Sequence, residues 1–393
     1  IGADGQYILP INMEEIHEIN LAKYDILGLK NVGIVRKTCE YANIKYPLSH
    51  EIDWNDLDVY KDMITSPIGI FQFEGDYAFK LLKGFIELNI NDPDRSPSID
   101  CMSLVNASLR PSGESYRDKL LAGIVNKNPS TIIDDLLKDN FGYLVYQCDT
   151  IKFLQQICGL SGSEADNVRR AIGRKQMDRL QKALPSILEG YCKVSDQPRE
   201  VAEEEAKQFL QIIEDSSNYQ FGFNHSTGYS MVGYLCAYMR YYYPTEFCTA
   251  YLNCANNDDD IKNGTQLLID KGIKLEKPKF GKSLSEFVCD ADTKTIYKGL
   301  GSIKDIGKDV GNKLSTLYDK KYPSFLHLLA DIKTLSINKA QLDILIKLDY
   351  FSQFGHPHQL LSQVDIYAEL STLYNKFKTA KKPSKSLFEE LSI

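Results

Sequence analysis

The feature that most constrains the fold is the run of residues 229–243, which is apolar nearly all the way round a helix. A helix without a polar face must be buried among other elements, so this run predicts a buried helix that Pro244 ends. Three polar residues, Asn224-His225-Ser226, stand just before the run and between two glycines. A polar segment that leads into a buried helix can present its backbone N–H groups to a phosphate.

A second helix, with a capped start, is predicted between Ser161 and Lys175. Ser161 with Glu164 and Ser163 with Asp166 both fit the Ser-x-x-acid capping box, in which a side-chain oxygen accepts orphan N–H groups of the first turn. Either serine can therefore be the N-cap. Apolar residues recur inside this helix at helical spacing and are predicted to face a core: Ala165, Val168 and Ile172.

Cations dominate the rest of this helix and the segment that follows it. A single acid, Asp178, stands against these cations between positions 169 and 182: Arg169, Arg170, Arg174, Lys175, Arg179 and Lys182. On a chain with a formal net charge of −7, such a concentration indicates a place where anions bind, and guanidinium forks suit phosphate oxygens. The alternative is a solvated basic face, and the spacing alone favours neither.

Three segments occur in an order that resembles a known family. They are residues 142–147 (Gly-Tyr-Leu-Val-Tyr-Gln), 161–175 (Ser-Gly-Ser-Glu-Ala-Asp-Asn-Val-Arg-Arg-Ala-Ile-Gly-Arg-Lys) and 219–230 (Tyr-Gln-Phe-Gly-Phe-Asn-His-Ser-Thr-Gly-Tyr-Ser). Together they are similar to the fingers of the C-family bacterial replicative DNA polymerases, the alpha subunit of DNA polymerase III. The resemblance extends over roughly residues 15–355.

This resemblance implies a mainly α-helical fold: helical fingers, a small β-containing remnant of the palm at the N-terminus and a tandem helix-hairpin-helix module. Strands are predicted at residues 8–11, 286–288 and 295–297. The implied divisions are the C-terminal part of the palm at 1–50, the fingers at 51–255, a small mixed segment with the tandem helix-hairpin-helix at 256–355, and a C-terminal helix with a basic tail at 356–393.

The implied activity is DNA-directed DNA synthesis, in which a primer 3′-hydroxyl attacks the α-phosphate of a dNTP. Asp25 matches the last of three palm carboxylates that bind two Mg²⁺ ions, which need several hard oxygen ligands. The family carries the other two carboxylates upstream, so we expect this chain to lack two of the three. An upstream polymerase half with palm carboxylates and thumb is the implied partner. From the residues alone, Asp25 can instead cap the following helix.

The resemblance also implies two sets of binding residues. The incoming nucleotide is assigned to Lys23, Arg169, Arg170, Arg174, Asn224 and Ser226. The primer-template is assigned to Arg110, Gly301, Lys304, Gly307 and Lys308. A glycine hairpin such as Ile303-x-x-Ile306-Gly307 lets a duplex phosphate approach bare backbone N–H groups, although an ordinary helix turn has the same pattern.

Composition limits how this chain can contact DNA and in which compartment we expect it. A pI near 5.5 gives no global attraction to nucleic acid, so DNA contacts must rest on local patches. The nine cysteines include no Cys-x-x-Cys pair, and no apolar run has the length of a membrane span, so we expect a cytoplasmic protein.

In the C-terminal tail, Leu387 and Phe388 resemble the apolar half of a sliding-clamp peptide, and an ordinary frayed terminus is the alternative. A non-catalytic DNA-binding or assembly subunit that retains the fingers scaffold is the alternative function.

Overall fold

The computed structural model describes residues 5, 7, 10–12, 15, 16, 19, 28–110, 114–216 and 220–379, with the backbone alone for residues 374–379. Helices dominate this part of the chain, which confirms the mainly α-helical fold. Its α-helices are α1 (Lys30–Tyr41), α2 (Leu57–Met63), α3 (Asp76–Asn91), α4 (Ile99–Ser108), α5 (Arg117–Leu121), α6 (Thr131–Leu136), α7 (Gln147–Lys152), α8 (Gly162–Gly173), α9 (Met177–Val194), α10 (Arg199–Ser216), α11 (Phe223–Tyr242), α12 (Pro244–Asn253), α13 (Asp258–Asp270), α14 (Gly307–Ser315), α15 (Phe325–Thr334), α16 (Lys339–Lys347) and α17 (Pro357–Thr379).

Helix α11 crosses the largest hydrophobic core and packs against α1, α2, α4 and α12. It contains the run that the sequence marks as buried, and Tyr234 and Met239 within it have no exposed surface. The expected burial is wrong at the end of the helix, where Tyr241 and Tyr242 are 37% and 47% exposed. The Tyr242 hydroxyl donates to the Asp56 carboxylate at 2.6 Å, so the polar tip of this ring keeps it at the surface. Pro244 ends α11 as predicted and also begins α12.

Arg240 anchors the C-terminal end of α11 from inside the core, although its side chain is fully buried. The guanidinium donates to the Asp62 carboxylate at 3.1 Å and to the backbone carbonyls of Ser66 and Ile68 at 2.8 and 2.9 Å. Two further carbonyls, of Asp62 and Met63, accept at 2.8 and 3.2 Å. Burial lowers the pKa of Arg240, and Asp62 opposes this change. A buried cation is tolerated because its donors are all engaged.

A second core holds helices α6 to α10 together and leads to the Gly142 turn. Phe153 and Phe209 meet edge to face at its centre, with ring centroids 4.7 Å apart. Gly142 has φ +78°, and a Cβ at this position would lie 2.4 Å from the Asn126 carbonyl oxygen. Only glycine allows this close approach, which directs residues 143–146 inward, where all four are buried. Tyr146 then forms an isolated parallel bridge with Phe221, which precedes α11.

A small sheet and a third core form the remaining part. In the described residues the strands are β1 (Lys274–Glu276), β2 (Val288–Asp290) and β3 (Thr295–Tyr297), in the order β1-β3-β2. Strand β3 is parallel to β1 and antiparallel to β2, and it coincides with the predicted strand at 295–297. The strand expected at 286–288 begins at Val288 instead, because the N–H and C=O of Phe287 are bonded to the Asn253 amide.

The third core joins α14 to α17, from Phe280 to Val364. Asp349, two residues after the end of α16, has φ +63°, a left-handed conformation that Asp tolerates better than most residues. The predicted palm strand at 8–11 lies largely outside the described residues. No helix among the residues that the structure describes is both long and apolar enough to cross a membrane.

Candidate functional site

Helix α8 begins with a capping box, and Ser161 is its N-cap. The Ser161 hydroxyl accepts the Glu164 N–H at 3.4 Å, and the Glu164 carboxylate accepts the Ser161 N–H at 2.9 Å. The hydroxyl also donates to this carboxylate at 2.6 Å, and these contacts lower the pKa of Glu164. Ser163, the other serine that fits the motif, lies within the first turn instead.

The apolar positions of α8 face the second core, as predicted. Ala165, Val168 and Ile172 are 0%, 6% and 3% exposed. Because their burial fixes the rotation of the helix, Asp166 and Arg170 project from a different face.

Asp166 binds two of the three arginines that the resemblance assigns to the nucleotide, Arg169 and Arg170. Its Oδ1 accepts Nε and Nη2 of Arg169 at 3.1 and 2.9 Å, and its Oδ2 accepts Nε of Arg170 at 2.8 Å. The hydrogen bond from Arg169 holds the pKa of the Asp166 carboxyl below its usual value, and both cations add to this effect. Sequence reasoning counted acids only from position 169 onwards and so missed Asp166. The signal was present, because residues three and four apart are neighbours on a helix.

Arg169 also connects α8 to the segment that precedes α11. Its Nη1 donates to the Gln147 side-chain oxygen at 3.4 Å, and the Gln147 amide nitrogen donates to the Gln220 carbonyl at 3.1 Å. The backbone continues this link, because Gln147 N–H donates to the Phe221 carbonyl at 3.0 Å and Phe221 N–H donates to the Val145 carbonyl at 3.1 Å. The basic helix and the start of the buried helix are thus parts of one structural unit.

The start of α11 presents unpaired backbone N–H groups. Its N-cap is Gly222, which offers no side-chain acceptor. Asn224 and His225 are exposed, and within the described part of the chain no acceptor is bonded to either backbone N–H. Together with the positive end of the helix dipole, these donors favour an anion.

Ser226, predicted to bind the nucleotide beside Asn224, is fully buried. Its hydroxyl donates to the Ser103 carbonyl at 2.8 Å, and the Asn106 amide donates to the Ser226 carbonyl at 3.3 Å. These contacts link α11 to α4. A contact between this hydroxyl and a nucleotide would require the bond to Ser103 to break, so the structure places only Asn224 of the pair at the surface.

Arg110 lies near the same segment. Its guanidinium carbon is 5.0 Å from the centroid of the Phe221 ring, a cation–π distance, and the Arg110 side chain is exposed. The Phe221 ring meets His225 at 5.3 Å, and His225 meets Tyr229 at 4.1 Å. Phe221 was missed from sequence, because an aromatic residue in such a segment is as well explained by packing.

Arg174, which the resemblance also assigns to the nucleotide, is the exposed C-cap of α8. Its backbone N–H donates to the Arg170 carbonyl at 3.0 Å, and its side chain has no hydrogen bond or ion pair in the described residues. Lys23 and Asp25 lie outside the described residues, as do Leu387 and Phe388. Among the residues that are described, no group of three or more His, Cys, Asp or Glu side chains is arranged to hold a metal ion.

The helix-hairpin-helix residues form a separate surface around the start of α14. Gly307 begins this helix with φ +68°, and the space where a Cβ would lie is open. Lys304 and Lys308 are exposed, and neither ammonium group has a partner within the described part of the chain. Gly301 has a packing reason, because a Cβ there would lie 2.9 Å from the Ser285 carbonyl oxygen.

Comparisons with known proteins match the same regions. The family model for the bacterial DNA polymerase III alpha subunit finger domain matches residues 116–194, and the model for the helix-hairpin-helix motif matches residues 272–361. The DNA polymerase III subunit alpha of Campylobacter jejuni is 29% identical over 391 residues, which cover 96% of this chain and 31% of that protein.

Other relatives give the same picture. The Aquifex aeolicus DNA polymerase III subunit alpha is 27% identical over 88% of this chain and 30% of its own length. The Bacillus subtilis subunit is 25% identical over 95% of this chain and 33% of its own length. The chain therefore spans about a third of the length of the curated relatives it matches.

Proposed function

Because this chain belongs to the family of bacterial DNA polymerase III alpha subunits, we propose that it is the fingers and helix-hairpin-helix part of a DNA-directed DNA polymerase. The proposed reaction is attack of a primer 3′-hydroxyl on the α-phosphate of a dNTP, with release of pyrophosphate, in the cytoplasm. The observation that supports it most is the link from Arg169 through Gln147 to the Phe221 carbonyl, because it joins the arginines of α8 to the start of α11.

In this proposal the triphosphate binds to guanidinium groups and backbone donors together. Arg170 uses only its Nε within the described residues and so has both Nη groups left for phosphate oxygens. The N–H groups of Asn224 and His225 offer further donors at the positive end of α11. Positioning and electrostatic stabilisation of this kind provide most of the catalysis in phosphoryl transfer.

We propose that Asp25 binds Mg²⁺ and that Lys23 contacts a phosphate of the nucleotide. Mg²⁺ ions, when bound, would clamp the attacking and leaving oxygens and offset their charge. Asp25 lies outside the described residues, and the residues inside them hold no suitable acidic cluster. We therefore assign no step to the metal, and we propose that palm carboxylates and thumb come from an upstream polymerase half.

The primer-template is proposed to contact two surfaces. The first lies beside what we call the nucleotide unit, which consists of α8, Gln147 and the start of α11; here the Arg110 guanidinium carbon is 5.0 Å from the Phe221 ring centroid. The second is the hairpin surface of Lys304, Gly307 and Lys308 at the start of α14. Bare N–H groups and lysines bind the phosphate backbone without reading sequence. A sliding clamp that binds Leu387 and Phe388 is proposed as a further partner.

Replacement of Arg170 tests the nucleotide site. In a polymerase that contains this segment, we expect Arg170→Ala to raise KM for dNTP and to lower kcat/KM by about tenfold or more, because hydrogen bonds to charged groups contribute roughly 1.5–3 kcal/mol. Steady-state primer extension with varied dNTP measures both constants. Arg199→Ala is the matched control, since Arg199 is also an exposed arginine paired with a carboxylate on its own helix.

Unchanged dNTP kinetics for Arg170→Ala would instead support the solvated-face interpretation. A polymerase that binds duplex DNA but extends no primer, with the palm carboxylates supplied, would favour the non-catalytic assembly subunit.

A further inference from the structure

We propose that Asp166 is a positioning residue that orients Arg169 and Arg170 for a ligand of the triphosphate class. This inference rests on the proposed function and adds a residue to it. Its basis is a single carboxylate whose two oxygens each hold a different guanidinium.

The contacts leave part of each guanidinium free in a fixed direction. Within the described residues, Arg169 uses Nε and Nη2 on Asp166 and Nη1 on Gln147, so two of its five N–H donors remain. Arg170 uses Nε alone in the same part of the chain, so the four N–H donors of its two Nη groups remain. One carboxylate, that of Asp166, therefore orients the free donors of both arginines.

Gln147 makes the arrangement more than a pair of salt bridges on one helix. Exposed pairs at three- or four-residue spacing contribute little, because both side chains must be ordered. Here Arg169 is only 25% exposed, and a second element holds it through the Gln147 side chain, which is itself bonded to the Gln220 carbonyl. The guanidinium is thus fixed from two directions before any ligand arrives.

Two effects of Asp166 on an anion have opposite signs. As a negative charge, it repels a triphosphate, so its removal would strengthen binding. As a positioning group, it orders two long side chains in advance, so its removal would weaken binding. Ordering one such side chain on binding costs a factor of about 2–13 in affinity, so two arginines outweigh the repulsion of one solvated, screened charge.

The test is isothermal titration of the chain with dATP and with inorganic tripolyphosphate, with deoxyadenosine as the uncharged probe. We expect Asp166→Asn to bind both anions about tenfold more weakly, and Asp166→Glu to recover part of the loss. Binding of deoxyadenosine stays the same. Asp178→Asn removes an exposed acid from the first turn of α9 and is expected to leave all three affinities unchanged.

Circular dichroism and thermal unfolding check that Asp166→Asn is folded. Gln147→Met, which removes the second contact to Arg169, is expected to weaken anion binding as well. If the native chain binds the anions and Asp166→Asn binds them equally or more tightly, the positioning role is overturned while the proposed function stands. If the native chain binds neither anion, the proposed nucleotide site fails, and this inference fails with it.

Discussion

The two regions proposed to contact phosphates hold their cations differently. In the nucleotide unit, Arg169 is held by Asp166 and Gln147, and its remaining donors have a fixed direction. At the start of α14, the ammonium groups of Lys304 and Lys308 have no partners in the described residues, and the space where a Gly307 Cβ would lie is open. A triphosphate presents its oxygens close together, so guanidinium groups held in a fixed orientation suit it. A duplex presents many equivalent phosphates, which suit lysines that no other side chain holds.

The largest expected effect concerns Gly307. Gly307→Val forces a β-branched residue into a left-handed φ and places a side chain where a phosphate would approach, so we expect duplex affinity to fall by about tenfold or more on every sequence. Gly272 has a similar φ of +63° and equally open surroundings, which makes Gly272→Val the matched control for strain.

Fluorescence anisotropy on two unrelated duplexes, with thermal unfolding of both variants, measures these effects. If both variants lose similar stability and only Gly307→Val loses duplex affinity, the result would support DNA binding by the hairpin surface. A loss confined to one duplex would indicate base readout, and equal losses of affinity in both variants would remove the contrast between the two regions.

The next effect concerns the lysines of the hairpin. If each contacts one phosphate, Lys304→Ala or Lys308→Ala should lower the slope of log affinity against log salt by about 0.9, or up to about eightfold in affinity near 0.1 M salt. Titration of duplex binding at several salt concentrations measures the slope. Lys313→Ala on the same helix is the control, because Lys313 is paired with Asp309 at 2.7 Å. An unchanged slope for both hairpin lysines would contradict the assignment.

The smallest effect separates the buried from the exposed part of the start of α11. Ser226 and Ser230 are both fully buried on α11, but only the Ser226 hydroxyl has a hydrogen-bond partner among the residues that the structure describes. We expect Ser226→Ala to lower the free energy of unfolding by about 1 kcal/mol and Ser230→Ala to be neutral or stabilising, because a buried hydroxyl without a partner gains nothing from burial.

Chemical denaturation measures both serine variants. A rise in KM for dNTP in Ser226→Ala without a loss of stability would instead support the nucleotide contact that the resemblance implies for Ser226.

Local elements were predictable from sequence because their causes are local. The capping box of α8, the apolar face of Ala165, Val168 and Ile172, and the end of α11 at Pro244 all depend on neighbours within a few residues. The left-handed φ of Asp349 likewise follows from its place after α16. The Asp166 contacts belong to this class, since their spacing along one helix is readable.

Contacts between distant segments were not predictable. Arg240 lies inside a run that reads as apolar, and only the carbonyls of residues 62–68 and the Asp62 carboxylate, brought beside it by packing, explain a fully buried guanidinium. Ser226 and Asn224 are two positions apart and equally polar. The rotation of α11 against α4 buries the Ser226 hydroxyl and leaves Asn224 exposed.

The sequence by itself determined where α8 begins and where α11 ends, which family the chain resembles, and which cations are available for phosphates. The tertiary structure alone decided that Arg169 meets Gln147 and, through it, the segment before α11. Gln147 and Gln220 are 73 positions apart, and a turn that only Gly142 permits carries Gln147 to the start of α11. Capping and periodicity act over a few residues, whereas the packing of two cores fixes the distance between Arg169 and that helix start.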